Sequence, residues 1–334
     1  MLSLIHVNLS AYALIILALI FEFLNGFHDT ANTVATSIST KSLGPFQAIS
    51  IAAIFNIIGA LSGTAVAVTI ISGFASPVYA TPNVLCAALL SAISWNIITW
   101  LFALPTSSSH ALIGGLVGGI IFNANIRVIH FKVLLFNVIL PMIVSPILGF
   151  ILSMFIAVLL LKIFSNNTKP RKTNNILREF QVLSTAFLSY SHGANDSQKT
   201  IGIITLILFN FKLIGTATAP SWVIFICGLF LALGTFFGGI SIIKTLSTRV
   251  AKLSPSGGVA SELSSAILLL IASKLGMPLS TTHAISGAIM GAGWSGSKYG
   301  VNWGVVKSMV INWVLTLPSC ILISGFILHI LNKL

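Results

Sequence analysis

The chain has 334 residues, of which 56% are apolar and 7% charged, and its mean hydropathy is +1.04. That composition lies outside the soluble globular range and leaves no room for a soluble domain. The formal charge of +12 sits in short polar connections and not in basic runs interleaved with aromatics, which excludes a nucleic-acid partner.

Crossing a hydrocarbon core about 30 Å thick takes roughly 20 apolar residues. Apolar stretches at 10–27, 46–72, 83–104, 110–124 and 133–163, then at 179–213, 219–243, 257–276, 282–294 and 305–331, predict an all-α polytopic membrane protein of about ten spans, some of them interrupted. The first stretch has no basic residue ahead of it and runs into polar GFHDTAN instead of a small-residue cleavage site, so a span is expected there and not a removable leader. Segment 165–175, SNNTKPRKTNN, is polar and basic and cannot stay in hydrocarbon. It divides the chain into expected membrane units at 1–164 and 179–334, joined by a cytoplasmic linker at 165–178. Cys86, Cys227 and Cys320 lie singly in apolar stretches and are expected to pack, with no metal or disulfide role.

Cytoplasmic loops carry an excess of Lys and Arg. With the linker inside, that side collects Lys41, Lys162, Lys169, Arg171, Lys172, Arg178, Lys244, Arg249, Lys252, Lys298 and Lys307, against Arg127, Lys132, Lys212, Lys274 and Lys333 on the other. Both termini are therefore expected outside. Five spans per half then force the second half to run through the membrane in the opposite sense to the first, an inverted repeat.

The motifs repeat accordingly. GFHDTAN at 26–32 aligns with GANDSQK at 193–199, an offset of 167, and PTSSSHALIGGLVG at 105–118 aligns with PLSTTHAISGAIMG at 278–291, an offset of 173. Two independent motif pairs in the same order indicate internal duplication.

A carboxylate at the bilayer centre costs about 2.5–3.5 kcal/mol on insertion scales, so the five acidic residues are informative. Asp29 and Asp196 hold equivalent places in the first motif pair, Glu22 lies seven residues before Asp29, and Glu262 lies in the stretch leading into PLSTTH; Glu179 is beside the linker. If helical, Glu22, Asn25, Asp29 and Asn32 share one face. With Asn195, Asp196 and Gln198 they offer carboxylate and amide oxygens of the kind that hold a hard cation such as sodium, or carboxylates that carry a proton. The alternative is that both aspartates cap broken half-helices.

Pro105 and Pro278 interrupt apolar runs, and N-cap residue types and small-residue helices follow at once, which predicts half-helices beginning inside the membrane. Such ends present free N–H groups and a positive dipole. With the hydroxyls of Ser107, Ser108, Ser109, Ser280, Thr281 and Thr282 they suit a tetrahedral oxyanion; the alternative is a simple helix break with hydroxyls turned to local backbone. His28, His110, His192 and His283 fall in these motifs. His28 and His192 are candidates for proton or anion contacts, His110 and His283 for structural ones. Lys199 either neutralises Asp196 or approaches the anion. Two other classes compete: an intramembrane metal-dependent hydrolase of lipid phosphates, which needs one asymmetric cluster, and a passive anion channel, which needs no coupling acids.

GFHDTANTVAT, GANDSQKTIG, PTSSSHALIGG and PLSTTHAISGA, in that order and spanning most of the chain, resemble the inorganic phosphate transporter (PiT) family, whose halves each carry a GANDxANA-like motif and a P-x-S-x-x-H stretch. Phe27 and His28 replace the usual Ala and Asn, as in the bacterial low-affinity branch. The resemblance implies import of phosphate by cation symport with alternating access, at a site between inverted repeats in a bacterial inner membrane. The ion would be sodium, or a proton with phosphate carried as a metal complex. Carried over by position, Asp29, Asn32, Asn195 and Asp196 would serve cation and phosphate, both Ser/Thr clusters the phosphate, and Glu262 would match a family glutamate. Glu22 has no acidic counterpart in the second half. No enzyme activity, cofactor or resident metal is expected; sulfate stays open as a substrate on hydroxyls and helix ends alone, and a homodimer is a natural assembly.

Overall fold

A computed structural model describes residues 2–164, 170–238, 242–243, 245–297 and 300–333. Linker residues 165–169 and the orientation signals Lys169, Lys244 and Lys298 lie outside the described residues. Within them the chain is helical, with no strand beyond an isolated bridge between Ala251 and Val301. In chain order the helices are α1 (Leu2–Ser39), α2 (Pro45–Ala60), α3 (Ala65–Gly73), α4 (Pro82–Leu101), α5 (Ser108–Asn123), α6 (Phe131–Phe164), α7 (Pro170–Asn210), α8 (Ser221–Phe237), α9 (Pro255–Lys274), α10 (Thr281–Gly296) and α11 (Trp303–Leu331).

From Leu9 onward α1 is long and apolar enough to cross a membrane, as are α4, α6, α9 and α11; α2 and α3 qualify together as a sixth crossing bent by 64°. The chain is a multi-pass membrane protein. Large apolar side chains on α6 and α11, among them Phe136, Ile147, Ile151, Phe155, Val314, Leu322 and Phe326, are exposed in the isolated chain, as a lipid-facing surface requires. The apolar runs expected as spans at 110–124 and 282–294 are the 16-residue helices α5 and α10, each about 24 Å long and short of the core thickness. They are apolar for another reason: every residue from Ser108 to Ile120 and from Thr281 to Gly293 is buried in protein. Residues 170–178, expected as linker, are the first turns of the 41-residue α7.

The turns into α5 and α10 are built alike. Beyond α4, Ala103 adopts φ 53°, and beyond α9, Gly276 adopts φ 70°, so the chain reverses through a left-handed residue at each helix end. The N–H of Leu104 donates to Thr99 O at 2.9 Å and that of Met277 to Ala272 O at 2.8 Å, closing the last helical carbonyls. Pro105 and Pro278 follow, barring helix for two residues more. Ser107 and Ser280 then cap α5 and α10 by accepting from the N–H groups of His110 and His283 at 3.2 and 3.3 Å.

Helix α1 packs on α8 and α2 on α7, while α5 lies against α4 and α11 and α10 against α9 and α6. Close approach is enforced by small residues: a Cβ at Gly193 would fall 2.2 Å from the Asn56 carbonyl oxygen of α2, and one at Gly26 would fall 2.2 Å from the Leu231 oxygen of α8. Thr200 bonds Glu22 while Gln181 accepts from Thr40 at 2.7 Å, so α1 and α7 lie side by side and antiparallel. Two buried apolar clusters flank this pair, one around α4, α5 and the second half of α7, the other around α9 and α10. The polar motifs fall between them.

Candidate substrate and ion site

Helix α1 runs unbroken through 26–32 and α7 through 193–199, so neither aspartate caps a broken helix. Glu22, Asn25, Asp29 and Asn32 face inward along α1, all at most 2% exposed; His192, Asp196 and Lys199 do the same along α7. Asp29 Oδ1 lies 3.1 Å from His28 Nδ1, and Asp29 Oδ2 accepts from Ser108 Oγ at 3.1 Å; the same hydroxyl lies 2.5 Å from Asn25 Oδ1. Asp196 is more heavily bonded. Lys199 Nζ donates to its Oδ1 at 2.5 Å, Thr281 Oγ1 lies 3.0 Å from both carboxylate oxygens, and His192 Nε2 stands 3.3 Å from Oδ2 without hydrogen-bond alignment.

These contacts come in matched pairs. Ser108 of α5 bonds Asp29 of α1, and Thr281 of α10 bonds Asp196 of α7. Asn32 Nδ2 donates to Thr282 Oγ1 at 2.9 Å, and Lys199 Nζ donates to Ser109 Oγ. Thr282 Oγ1 donates to Thr106 O at 2.9 Å, and Ser109 Oγ lies 3.4 Å from Leu279 O. Every partner in one set maps onto its mate by 167 residues along α1 and α7 or by 173 along the two turns. Each turn therefore threads across the start of the other half-helix, and the N-termini of α5 and α10 converge beside the two aspartates.

At those ends the N–H groups of Ser108, Ser109, Thr281 and Thr282 have no intrahelical acceptor. Four of the six predicted hydroxyls, on Ser108, Ser109, Thr281 and Thr282, point to protein acceptors, while Ser107 and Ser280 use their oxygens as caps and keep a hydroxyl proton to donate.

Three ligand atoms, one each from Asp29, His192 and Asp196, lie within 4.8 Å of one another, close enough for one ion. Sequence reading foresaw no such trio, because Asp29 of α1 meets His192 and Asp196 of α7 only through helix packing. His192 Nδ1 donates to Asn56 Oδ1 at 2.9 Å, leaving Nε2 turned toward the carboxylates, and Asn56 in turn donates to Thr235 at 2.9 Å. Asn56 was missed, although it is an amide in the middle of the apolar run 46–72, the kind of signal that marks a bonded polar group in a membrane. Asn195 donates to Met277 O at 3.1 Å, and its Oδ1 is buried without a partner among the described residues. His28 Nε2 sits 3.5 Å from Thr99 Oγ1, beside an aromatic-lined cavity of about 370 Å³ between α1 and α4 that Asn96 also lines.

Neither glutamate is a member of the trio. Glu22 lies about 10 Å from Asp29 along α1 and is bonded by Thr200. Glu262 lies the other way, where its carboxylate accepts from Thr36 at 2.5 Å, Gln181 at 2.9 Å, Ser184 at 2.5 Å and Thr185 at 3.0 Å. Its four donors explain how it is buried; Thr36 closes the GFHDTANTVAT stretch of α1, and Gln181, Ser184 and Thr185 come from α7 ahead of its motif. His110 and His283 lie with ring centroids 4.9 Å apart and planes tilted by 48°, His283 lies 4.2 Å from Trp313 with planes tilted by 32°, and His283 Nδ1 donates to Met142 O at 3.1 Å.

Membrane-crossing helices around a buried centre that combines anion-attracting helix ends with carboxylates define a membrane transport protein. A family model described as "Phosphate transporter family" matches residues 25–172 and again 162–324. The chain is 43% identical to a "Probable low-affinity inorganic phosphate transporter" of Bacillus subtilis (strain 168), over 96% of this chain and 97% of that one. It is 42% identical to a protein of the same description from Rhizobium meliloti (strain 1021), over 93% of both. Its fold is similar to the solved structure "The sodium-dependent phosphate transporter", with TM-score 0.87 and 25% identity, covering 97% of this chain and 99% of that one. The chain belongs to the phosphate transporter family. Family and relatives are transporters and not enzymes, which removes the intramembrane hydrolase.

Proposed function

We propose that this chain is a secondary active transporter that imports inorganic phosphate by cation symport with alternating access. The observation that carries the reading is the convergence of the α5 and α10 N-termini beside Asp29 and Asp196. Free N–H groups and the Ser107 and Ser280 hydroxyls face an anion there, and carboxylates stand close enough to hold the cation that offsets its charge. In this reading Asp29, Asp196 and His192 form the cation position, Asn25, Asn32 and Asn195 line it, and Ser108, Ser109, Thr281 and Thr282 orient the carboxylates and turns. His28 buttresses Asp29. Glu22 and Glu262 support α1 on either side of the trio.

The architecture we infer is two inverted repeats, 1–164 and 179–334, exchanging half-helices. Support comes from the matched bonds, the antiparallel α1–α7 pair, the packing of α5 on α11 and of α10 on α6, and the double match of the family model. The residues of the centre are at most 2% exposed, so in this reading the site opens to each side in turn. The likeness to bacterial relatives favours a bacterial inner membrane, and the Lys and Arg count favours both termini outside.

The test is radiolabelled phosphate uptake into proteoliposomes of the purified protein, under an imposed sodium gradient or an inward proton gradient, with and without divalent metal. Accumulation above equilibrium that is competed by phosphate and not by sulfate is expected. Uptake that never exceeds the electrochemical gradient would point to a channel, and preferential sulfate competition to another oxyanion.

A further inference from the structure

The matched bonds contain one mismatch. The 167-residue offset pairs Asn32 with Lys199, and the two side chains make equivalent contacts, Asn32 to Thr282 and Lys199 to Ser109. One half thus carries a neutral amide where the other carries a cation. Lys199 is 1% exposed, and its Nζ meets oxygens only: Asp196 Oδ1 at 2.5 Å, Ser109 Oγ and, at 3.3 Å, the Leu279 carbonyl. One carboxylate, one hydroxyl and one carbonyl satisfy the three donors of an ammonium. The same three oxygen types are what a hard monovalent cation takes from a protein.

We infer that the Lys199 ammonium is a tethered cation, occupying in the second half the position that a free monovalent cation would need if an amide stood there, and so sets how many cations accompany phosphate. The inference rests on the transporter reading above. Asp196 Oδ1 takes its counter-charge from the chain itself. Asp29, whose helix supplies only the amide of Asn32 at the matching position, remains the carboxylate whose charge must be offset from outside. Phosphate transport by this chain therefore needs one free cation fewer than the same site with an amide at 199, and the Asp196 half is indifferent to sodium.

Lys199→Asn recreates the first-half arrangement, and Lys199→Ala opens the position without a new ligand. Each is compared with the wild type in two assays: phosphate uptake under an inward proton gradient in sodium chloride or choline chloride, and melting temperature in detergent in the same two salts. The wild type, whose free-cation position is at Asp29, is expected to show a smaller sodium-over-choline difference in uptake and in melting temperature than either variant. Both variants are expected to lose at least 10-fold in choline, to recover in sodium, and to melt several degrees higher in sodium than in choline. Variants with wild-type uptake in choline, or with no melting response specific to sodium, overturn the inference, as does a wild type stabilised by sodium as strongly as the variants. Should the wild type fail to take up phosphate under any gradient, the transporter reading falls, while the melting comparison still decides whether Lys199 fills a cation position.

Discussion

The two motif aspartates hold equivalent places in the sequence but unequal places in the structure, and their asparagine variants should separate accordingly. Asp196 is tied to Lys199 at 2.5 Å, to Thr281 at 3.0 Å on both oxygens, and stands beside His192, whereas Asp29 has one hydroxyl donor and the neighbouring His28. Asp196→Asn leaves the Lys199 ammonium buried with no counter-charge and turns an amide NH2 toward existing donors. Breaking a buried pair from one side costs about 3–5 kcal/mol. Asp29→Asn loses a charge-assisted hydrogen bond and strands no cation, for a cost of about 1–3 kcal/mol. Both variants are expected to abolish uptake, but Asp196→Asn should be the less stable by about 2 kcal/mol, read as the lower melting temperature by fluorescence-detected size exclusion after heating. The double variant Asp196→Asn/Lys199→Met removes both charges and should recover most of the lost stability while staying inactive, since a removed pair leaves nothing unpaired. Equal stability of the two single variants, or no recovery in the double, would refute the Asp196–Lys199 pair as the main source of the difference.

Gly193→Ala places a methyl 2.2 Å from the Asn56 carbonyl oxygen and must push α7 from α2, loosening the Asn56–His192 bond; a loss of about 1–3 kcal/mol and a marked drop in uptake are expected, while Gly215→Ala, with nothing within 4 Å, should change neither. Ser107→Ala and Ser280→Ala remove helix caps whose hydroxyl protons face the proposed anion, so each should cost about 1 kcal/mol in melting experiments and raise KM for phosphate more than it lowers maximal uptake; an unchanged KM in both would place the anion elsewhere.

Much of this protein was legible in its sequence because the relevant signals are local. Apolar runs of spanning length follow from the thickness of hydrocarbon, and the breaks at Pro105 and Pro278 follow from a ring that cannot continue a helix. Acidic residues in such runs mark function, since burying them unpaired is too costly to be incidental. Where the reading fell short, the deciding quantity was packing. Apolarity does not distinguish burial in lipid from burial in protein, so α5 and α10 read as spans; the stripe of α1 gave no sign that Glu22 and Glu262 would lie on either side of the aspartate centre.

What the sequence by itself determined is the membrane class, the paired motifs and the candidate chemistry of each. Only the tertiary structure decided which groups meet: Asn32 reaches Thr282 across 250 residues of chain, His192 joins Asp29 and Asp196 in one trio, and Asn56 orients that histidine from a helix with no motif at all. The physical reason is range. Helix propensity and hydropathy act over a few residues, whereas hydrogen bonds and ion pairs act over about 3 Å of space between segments that only close helix packing brings together.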